Sequence, residues 1–409
     1  MNNKNNDRSI LFVGGGQETI PGVKVAKEMG LSVIVSDISE AAPCVKLADH
    51  FLLADTYSVE DTLREVKIFC KKHRSIDGVI CMASDVPLTV AMVAKELGLP
   101  GIPIEAAKIV TDKVLMKDCF KASHLPIPWY SEVQDAKQLK QIVRDKALPL
   151  IIKPVDSRGA RGVLKLEDDV DLDWAYSTSL SYSPSNRVMV EEFLSGPQVS
   201  TESLIVKGNV YTLGFSDRNY DLLEKYSPYI IEDGGDLPSS LLPVDQKRIK
   251  DTVAKTASVL QITNGVIKGD MVLSDGDPYI IEVAARLSGG YFCSHEIPLN
   301  TGVDFVRIAV QMAMGDSISE DSLKVSKNLA VCQRYFFPEP GVVQNIVIPE
   351  WINTHPDINL CEIRVSVGDV IAEATHHPSR AGLVITSGKN RAEALNLARK
   401  IVQDIQIVT

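Results

Sequence analysis

Short apolar segments alternate with amphipathic segments through the first hundred residues of this 409-residue chain. The apolar segments at residues 10–13, 32–35, 50–53 and 78–82 have the length of buried strands. Residues 21–29, 59–70 and 87–97 between them have the spacing of helices. Strands that alternate with helices indicate parallel βαβ units. This part of the sequence therefore predicts a doubly wound parallel α/β domain.

The pattern changes after residue 101. Two helices are predicted in succession over residues 105–122, and short strands prevail from residue 163 to residue 283. That second pattern is typical of an α+β fold with antiparallel hairpins. Because a single hydrophobic core stops growing at roughly 250–300 residues, a chain of 409 residues is expected to form several packed domains.

The charge balance narrows the classes of partner. Lys and Arg number 43 against 53 Asp and Glu, a net charge of −10, which disfavours nucleic acid. The chain has no apolar run of the ~18 residues that a membrane span needs. The first nine residues are polar, unlike a signal peptide, and the seven cysteines include no CxxC pair. We therefore expect a cytoplasmic protein with small-molecule partners and no membrane or nucleic-acid partner.

A glycine-containing loop between two apolar strands is the strongest local signal for chemistry. Lys153 ends the first strand, and Ser157, Arg158, Gly159 and Gly162 follow before the second strand begins. Glycines let backbone N–H groups approach an anion closely, and the lysine is a point charge suited to a phosphate oxygen. A phosphate-binding loop is predicted. A hairpin with a polar tip explains the same residues about as well.

An acidic and aromatic segment follows the next strand. Glu191, Phe193 and Leu194 precede a Gly-Pro turn, and Gln198 comes directly after it. Such a hinge can present polar groups to a purine base, with Glu191 facing an amino group and Gln198 a ribose hydroxyl. Taken alone, the segment is better explained as a strand end with a turn.

Two carboxylates lie in apolar strands that a short turn connects. Asp270 and Glu282 are twelve positions apart around the turn at residues 274–277, and Arg286 follows. Carboxylates in apolar strands are costly unless they are paired or bind a metal, and two facing oxygen ligands suit Mg²⁺ on nucleotide phosphates. Strand-edge salt bridges are the alternative. Without metal, mutual repulsion is expected to raise the pKa of one of the two carboxyl groups.

Taken together, these segments resemble an ATP-grasp carboxylate–amine ligase over nearly the whole chain. The resemblance implies ATP and Mg²⁺ as cofactors, with Mn²⁺ as an alternative metal. It assigns Lys113 and Lys153 to the phosphates, Asp270 and Glu282 to the metal, and Arg286 to the acyl phosphate. The implied ATP contacts are Lys113, Lys153, Ser157, Arg158, Gly159, Gly162, Glu191, Phe193, Leu194 and Gln198. The implied catalytic residues are Arg286 and Lys153.

Two positions depart from the family pattern. Ala284 stands where the family usually has an asparagine ligand of the second magnesium, and Gln198 stands where a glutamate usually contacts ribose. The segment 282–290 is similar to a subgroup of L-amino acid ligases and carnosine-synthase-like enzymes, as are the last 80 residues. Biotin carboxylase shares part of that C-terminal domain.

The resemblance also implies a domain order. It predicts an N-terminal α/β domain at 1–103, a lid subdomain at 104–190, a second ATP-grasp subdomain with the metal site at 191–328, and a C-terminal α+β domain at 329–409. Related enzymes are often dimers, so a homodimer is an open alternative. Weaker candidates for substrate contacts are Arg218, Gly289, Gly290 and His295.

The predicted activity is an ADP-forming ligase that activates a carboxylate as an acyl phosphate and joins it to an amine. One alternative is a biotin carboxylase-like or phosphoribosyl-type enzyme that forms carboxyphosphate, and another is a catalytically silent ATP-binding module. A nicotinamide-dependent oxidoreductase is the third. It would use Gly14–Gly16 and Asp37, but Thr19 stands where the dinucleotide fingerprint needs glycine.

Overall fold

The N-terminal part of the chain forms the expected parallel α/β domain. The computed structural model describes residues 8–409, so part of the polar N-terminus that argued against a signal peptide lies outside the described residues. Four strands form one parallel sheet in the order β3-β2-β1-β4. They are β1 (Ser9–Val13), β2 (Ser32–Asp37), β3 (His50–Leu53) and β4 (Gly78–Ile80). The helices are α1 (Ile20–Glu28), α2 (Val59–Lys72) and α3 (Pro87–Leu97).

Two helices then lead into a small antiparallel domain. They are α4 (Ile104–Thr111) and α5 (Lys113–Ala122), and the Asp112 side chain caps α5 by accepting from the backbone N–H groups of Val114 and Leu115. The segment from β5 to β8, which we call the lid, forms a sheet in the order β5-β8-β6-β7. Its elements are β5 (Tyr130–Val133), α6 (Ala136–Lys146), β6 (Leu150–Pro154), β7 (Leu164–Leu166), α7 (Leu172–Ser181) and β8 (Val188–Glu192).

The largest sheet has eight strands and crosses residue 329, the predicted start of the C-terminal domain. Between the lid and that residue the chain forms β9 (Gln198–Val206), β10 (Asn209–Asn219), β11 (Gly234–Leu237), α8 (Pro243–Val259), β12 (Gly265–Ser274), β13 (Asp277–Ala284), α9 (Ile297–Thr301) and α10 (Phe305–Ala313). After it come β14 (Ala330–Tyr335), β15 (Gly341–Val342), β16 (Asn345–Val347), β17 (Ile358–Ile363), β18 (Val370–Ile371), β19 (Gly382–Gly388), α11 (Arg391–Asp404) and β20 (Gln406–Val408). The strand order is β13-β12-β9-β10-β11-β14-β19-β17.

Strand β11 has no apolar pattern that would predict it. Its sequence is Gly-Gly-Asp-Leu, and it pairs with β10 and β14 in the middle of the large sheet. Gly234 has a φ of +150°, and a Cβ there would lie 2.0 Å from the carbonyl oxygen of Gln333. The close approach of β14 therefore requires glycine at this position.

One apolar cluster joins the N-terminal sheet to the large sheet. Phe12 of β1, Leu204 of β9, Phe305 of α10 and Leu383 of β19 are all fully buried in it. This packing fixes the N-terminal domain against the sheet that carries Asp270 and Glu282. No helix within residues 8–409 is long and apolar enough to cross a membrane.

Candidate active site

A cavity of about 1060 Å³ lies where the N-terminal domain, the lid and the large sheet meet. Its lining residues run along the chain from Glu18 in the N-terminal domain to Ala381, which directly precedes β19. Most of the residues that the sequence singled out line it, although they come from distant parts of the chain. The predicted residues in the wall are Lys113, Lys153, Ser157, Arg158, Gly159, Glu191, Phe193, Leu194, Gln198, Arg218, Asp270, Glu282, Arg286, Gly289 and Gly290.

Two lysines stand at the lid end of this cavity. Lys153, at the end of β6, is buried and forms an ion pair with Glu191 on the neighbouring strand β8. Lys113, the first residue of α5, donates from Nζ to the carbonyl oxygen of Ser157 at 2.8 Å. Its Nζ also lies 3.2 Å from Oε1 of Glu282. The side chain that the resemblance assigned to adenine, Glu191, is thus engaged by a phosphate-type lysine.

A third lysine shares Glu191 and was missed by the sequence analysis. Lys117, one helical turn after Lys113, is fully buried, and its Nζ lies 3.1 Å from Oε2 of Glu191. Burial lowers the pKa of Lys117 to about 8, although the Glu191 carboxylate opposes this shift. Burial also disfavours the charged form of Glu191, but the two ammonium groups outweigh it and hold the pKa of Glu191 below its usual range.

The loop after Lys153 is held from two sides. The guanidinium of Arg158 stacks on the ring of Tyr57 in the N-terminal domain, 3.7 Å from the ring centroid. The carbonyl oxygen of Gly159 accepts from the backbone N–H of His377 at 3.0 Å. Gly159 and Gly162 have φ values of +62° and +70°, as the predicted loop requires. Gly162 packs near Pro154 and Tyr182 and is not among the residues that line the cavity.

The segment between β8 and β9 borders the same end of the cavity. Phe193, Leu194 and Gln198 all line it. The turn between them is tight, because Gly196 has a φ of +135° and a Cβ there would lie 2.1 Å from the carbonyl oxygen of Leu273. An apolar ring and a leucine beside the phosphate-type lysines are suited to the flat faces of a nucleobase.

Asp270 and Glu282 are direct partners across the β12–β13 ladder. The Asp270 carboxylate also has two cationic partners. Its carboxylate lies 2.6 Å from Nζ of Lys268 and 2.7 Å from Nη1 of Arg218. Burial opposes its ionisation, but these two cations outweigh burial and hold the pKa of Asp270 well below its usual range. For Asp270, the sequence-based expectation of a raised pKa is therefore wrong.

Arg286 forms an ion pair that crosses between domains. Its Nε donates to Oδ1 of Asp85 at 2.6 Å, and Asp85 follows strand β4 of the N-terminal domain. Burial disfavours the charged form of Asp85, but Arg286 outweighs it and lowers the pKa of this carboxyl. Sequence reasoning missed Asp85. The available signal was its position after a parallel strand, at the edge where ligands of open α/β sheets bind.

The glycines after Arg286 contact the N-terminal and C-terminal parts of the chain. The backbone N–H of Gly290 donates to Oε2 of Glu18 at 2.7 Å, and Arg364 donates from Nη2 to Oε1 of the same carboxylate at 2.8 Å. His295 is not among the cavity-lining residues. Its ring packs edge-on against Tyr291 with the centroids 5.0 Å apart, whereas the adjacent Glu296 does line the cavity.

Two buried carboxyl groups beside the cavity have raised pKa values. Burial raises the pKa of Glu202 to about 7, although the carboxylate accepts from the backbone N–H of Ser288 at 2.8 Å. Burial, and next the nearby Asp236 carboxylate, raise the pKa of Glu296 to about 8. Near neutral pH, Glu296 is therefore mainly uncharged and adds no negative charge to the wall.

Gly14–Gly16, the basis of the nicotinamide alternative, are not among the cavity-lining residues. Asp37 accepts from the backbone N–H of Gly15 at 2.8 Å, so the carboxylate that a dinucleotide ribose would need serves the local turn. A Cβ at Gly14 would lie 2.2 Å from Oγ of Ser84, which shows how closely the chain passes this turn. Local packing thus explains Gly14 and Gly15, whereas a Cβ at Gly16 would meet no atom within 4 Å.

Family models match three successive parts of the chain. Residues 23–101 match an ATP-grasp N-terminal domain, residues 110–290 match an ATP-grasp domain, and residues 334–409 match an L-amino acid ligase C-terminal domain 2. A D-alanine–D-alanine ligase of Desulforudis audaxviator is 25% identical over 46% of this chain and 62% of its own length. This chain thus spans less than two thirds of that relative.

Solved structures resemble the whole chain. The L-amino acid ligase of Bacillus licheniformis has a TM-score of 0.82 at 20% identity and covers 98% of both chains. The biotin carboxylase domain of 2-oxoglutarate carboxylase from Hydrogenobacter thermophilus, a dimer with MgADP and bicarbonate, has a TM-score of 0.73 at 18% identity. It covers 98% of this chain and 90% of that domain. At these identities the likeness shows a shared fold.

The raised pKa of Glu296 predicts a pH dependence of stability. The folded state keeps this proton up to about pH 8, whereas the unfolded state loses it near pH 4.5, so stability falls as pH rises through that window. Glu296→Gln keeps the site neutral and is expected to weaken this fall, measured by urea unfolding across the pH range. The surface variant Glu105→Gln should retain the wild-type slope. An unchanged slope in Glu296→Gln would contradict the assignment.

Proposed function

This chain belongs to the ATP-grasp family, and on that premise we propose that it is an ADP-forming ligase that joins a carboxylate to an amine. One observation carries the proposal: phosphate-type lysines, a pair of cross-strand carboxylates and a domain-bridging arginine line a single cavity. Of the residues that the resemblance assigned to ATP, metal and acyl phosphate, all but Gly162 line this cavity, although up to 173 positions separate them in the chain.

The reaction has two steps. The γ-phosphoryl group of ATP passes to an oxygen of the carboxylate, which gives an acyl phosphate and ADP. The amine nitrogen then attacks the acyl carbon, phosphate leaves, and the amine proton is lost, which gives an amide. The protein contributes position and charge in both steps. Lys113 and Lys153 hold phosphate oxygens, the backbone of residues 157–162 covers them, and Arg286 faces the acyl phosphate.

Asp270 and Glu282 fit a magnesium ion, and Mn²⁺ would use the same oxygens. Magnesium is commonly held by one or two carboxylates together with substrate phosphates and water, and two facing cross-strand carboxylates supply the protein's share. Among residues 8–409, no group of three or more His, Cys, Asp or Glu side chains could hold a metal without such help. When bound, the metal would neutralise phosphate charge. Ala284 contributes no side-chain oxygen.

The size of the cavity favours organic substrates over bicarbonate alone. Beyond the carboxylate pair, it continues to Arg364, Arg380 and the segment 370–372 of the C-terminal part of the chain. This region has room for an organic molecule, which a carboxyphosphate-forming enzyme would also need as its acceptor. The retained lysines, carboxylates and Arg286 also favour an active enzyme over a silent ATP-binding module. A homodimer and a location in the cytoplasm stay predictions.

The products of the reaction test the proposal. With Mg²⁺–ATP and pooled small acids and amines, the purified protein is expected to release ADP and phosphate in equal amounts, and only when both substrates are present. Nucleotides are separated by ion-exchange chromatography. Stoichiometric AMP and pyrophosphate would contradict the acyl-phosphate route, and ADP release with bicarbonate as the sole acid would favour carboxyphosphate formation instead.

The metal assignment predicts the effect of Glu282→Gln. Loss of a ligand that supports several kcal/mol of charge stabilisation is expected to lower the turnover rate by about 100-fold or more. The magnesium concentration for half-maximal rate should rise, while the melting temperature changes little. Asp277→Asn, on the exposed start of the same strand, is the matched control and should behave as wild type. Wild-type turnover in Glu282→Gln would exclude this metal site.

A further inference from the structure

Beyond the carboxylate pair, the cavity wall contains a buried group with more cationic than anionic side chains. Arg218 contacts both Asp270 and Glu232, and Lys268 contacts Asp270. Arg380 donates from Nη2 to the carbonyl oxygen of Glu232 at 2.5 Å, and its Nη2 lies 3.7 Å from the Glu232 carboxylate. Three cations thus share two carboxylates. Glu18, another carboxylate in the wall, already accepts hydrogen bonds from Arg364 and from a backbone N–H.

Both arginines have donors without partners. The Nε atoms of Arg218 and Arg380 are inaccessible to solvent and lack hydrogen-bond partners among residues 8–409. The side chains of these two arginines are only 12% and 10% exposed, yet both line the cavity. A buried guanidinium donor without an acceptor is costly, because burial has removed its hydrogen bonds to water. A ligand in the cavity can reach the part of each guanidinium that remains exposed in the wall, and its negative charge would offset the cost of burying these cations.

The plane of Arg380 is fixed in advance. Its guanidinium stacks on the ring of Tyr335 at 3.7 Å from the ring centroid. Stacking restricts rotation of the long side chain, so less entropy is lost when the guanidinium binds a ligand. His377 beside it adds no compensating charge, because burial, and then the nearby arginines, hold the pKa of His377 well below its usual range.

The two arginines are distinct from the lysines assigned to the ATP phosphates and from Arg286, although Arg218 contacts the proposed metal ligand Asp270. Arg286 is paired with Asp85, whereas Arg380 lies among Tyr335, Arg218 and Tyr220. Neither Arg218 nor Arg380 forms an ion pair with a partner of Lys113 or Lys153. An anion bound there would lie beyond Asp270, on the side of the cavity that the C-terminal part of the chain closes.

We propose that Arg218 and Arg380 bind an anionic group of the amine substrate, distinct from the carboxylate that is activated. This inference rests on the proposed ligase function and narrows its substrate class. The amine substrate then carries a carboxylate, or a phosphate, that remains unchanged in the product. Charged hydrogen bonds to a guanidinium can recognise either group.

The test compares anionic substrates with neutral analogues on the full-length wild-type protein. ADP release is measured with L-amino acids, with the corresponding amino acid amides, and with aminoalkyl phosphates such as 2-aminoethyl phosphate, each with pooled small acids. We expect turnover with amino acids or with aminoalkyl phosphates and a KM about 10- to 100-fold higher for the amides, the size expected when a charged hydrogen bond is lost. The preferred anionic set identifies carboxylate or phosphate.

Variants then assign that preference to the two arginines. Arg380→Gln should raise KM for the anionic substrate to that of the amide while KM for ATP stays unchanged, and Arg380→Lys should restore part of the difference. Arg399→Gln is the control, because its exposed guanidinium pairs with Asp221 and neither residue lines the cavity, so this variant should keep the preference. Equal KM values for amino acids, aminoalkyl phosphates and amides in the wild type would overturn the inference, while the ligase proposal would stand. This comparison uses the wild-type protein, so it does not depend on whether a variant folds. Absence of ADP release with every set would instead contradict the ligase proposal itself.

Discussion

The buried charges of the cavity wall are the constraint on which the rest of this structure depends. An ion removed from water costs several kcal/mol unless a partner of opposite charge and good geometry is supplied. Here the partners come from different domains: Arg286 needs Asp85 of the N-terminal domain, and Lys117 needs Glu191 of the lid. Separation of the domains would leave these charges without their partners. The ion pairs therefore disfavour open arrangements, and the apolar cluster around Phe12 and Phe305 supplies the cohesion.

The same pairs prepare the site for its ligands. Lys268 and Arg218 keep Asp270 ionised, so in the proposed metal site its oxygens would bind the ion without first losing a proton. The ammonium group of Lys113 lies 3.2 Å from Oε1 of Glu282 and offsets part of its charge. On the substrate side, cations outnumber carboxylates around Arg380, and the protonated Glu296 does not restore the balance. Phosphate, metal and substrate anion would each complete a partly balanced set of charges.

Residue patterns that are local in sequence predicted much of the fold and part of the candidate site. The alternation of strands and helices gave the parallel domain correctly, and an apolar strand ending in lysine before a glycine-containing loop predicted the position of Lys153. Asp270 and Glu282 were predictable as cross-strand partners because a short turn connects their strands, which leaves few registers. These features depend on neighbouring residues only.

The remaining parts depend on contacts between distant segments. Lys117 lies on an amphipathic helix, where a lysine is usually solvated. Its burial involves its contact with Glu191 of the lid, which is distant in sequence. Asp85, Glu232 and Arg380 carry no motif, and their roles follow from partners between 14 and 201 positions away. Strand β11 was missed for a related reason: its glycines are required by the approach of β14, which lies about 100 residues later.

The fate of a carboxylate oxygen tests the central claim most directly. If the acid is labelled with ¹⁸O in its carboxylate and ligated in unlabelled water, the acyl-phosphate route carries one labelled oxygen into the released phosphate. Mass spectrometry of that phosphate is expected to show one ¹⁸O atom per amide formed. Unlabelled phosphate, or label in AMP, would show that the carboxylate is not activated by the γ-phosphoryl group and would contradict the account.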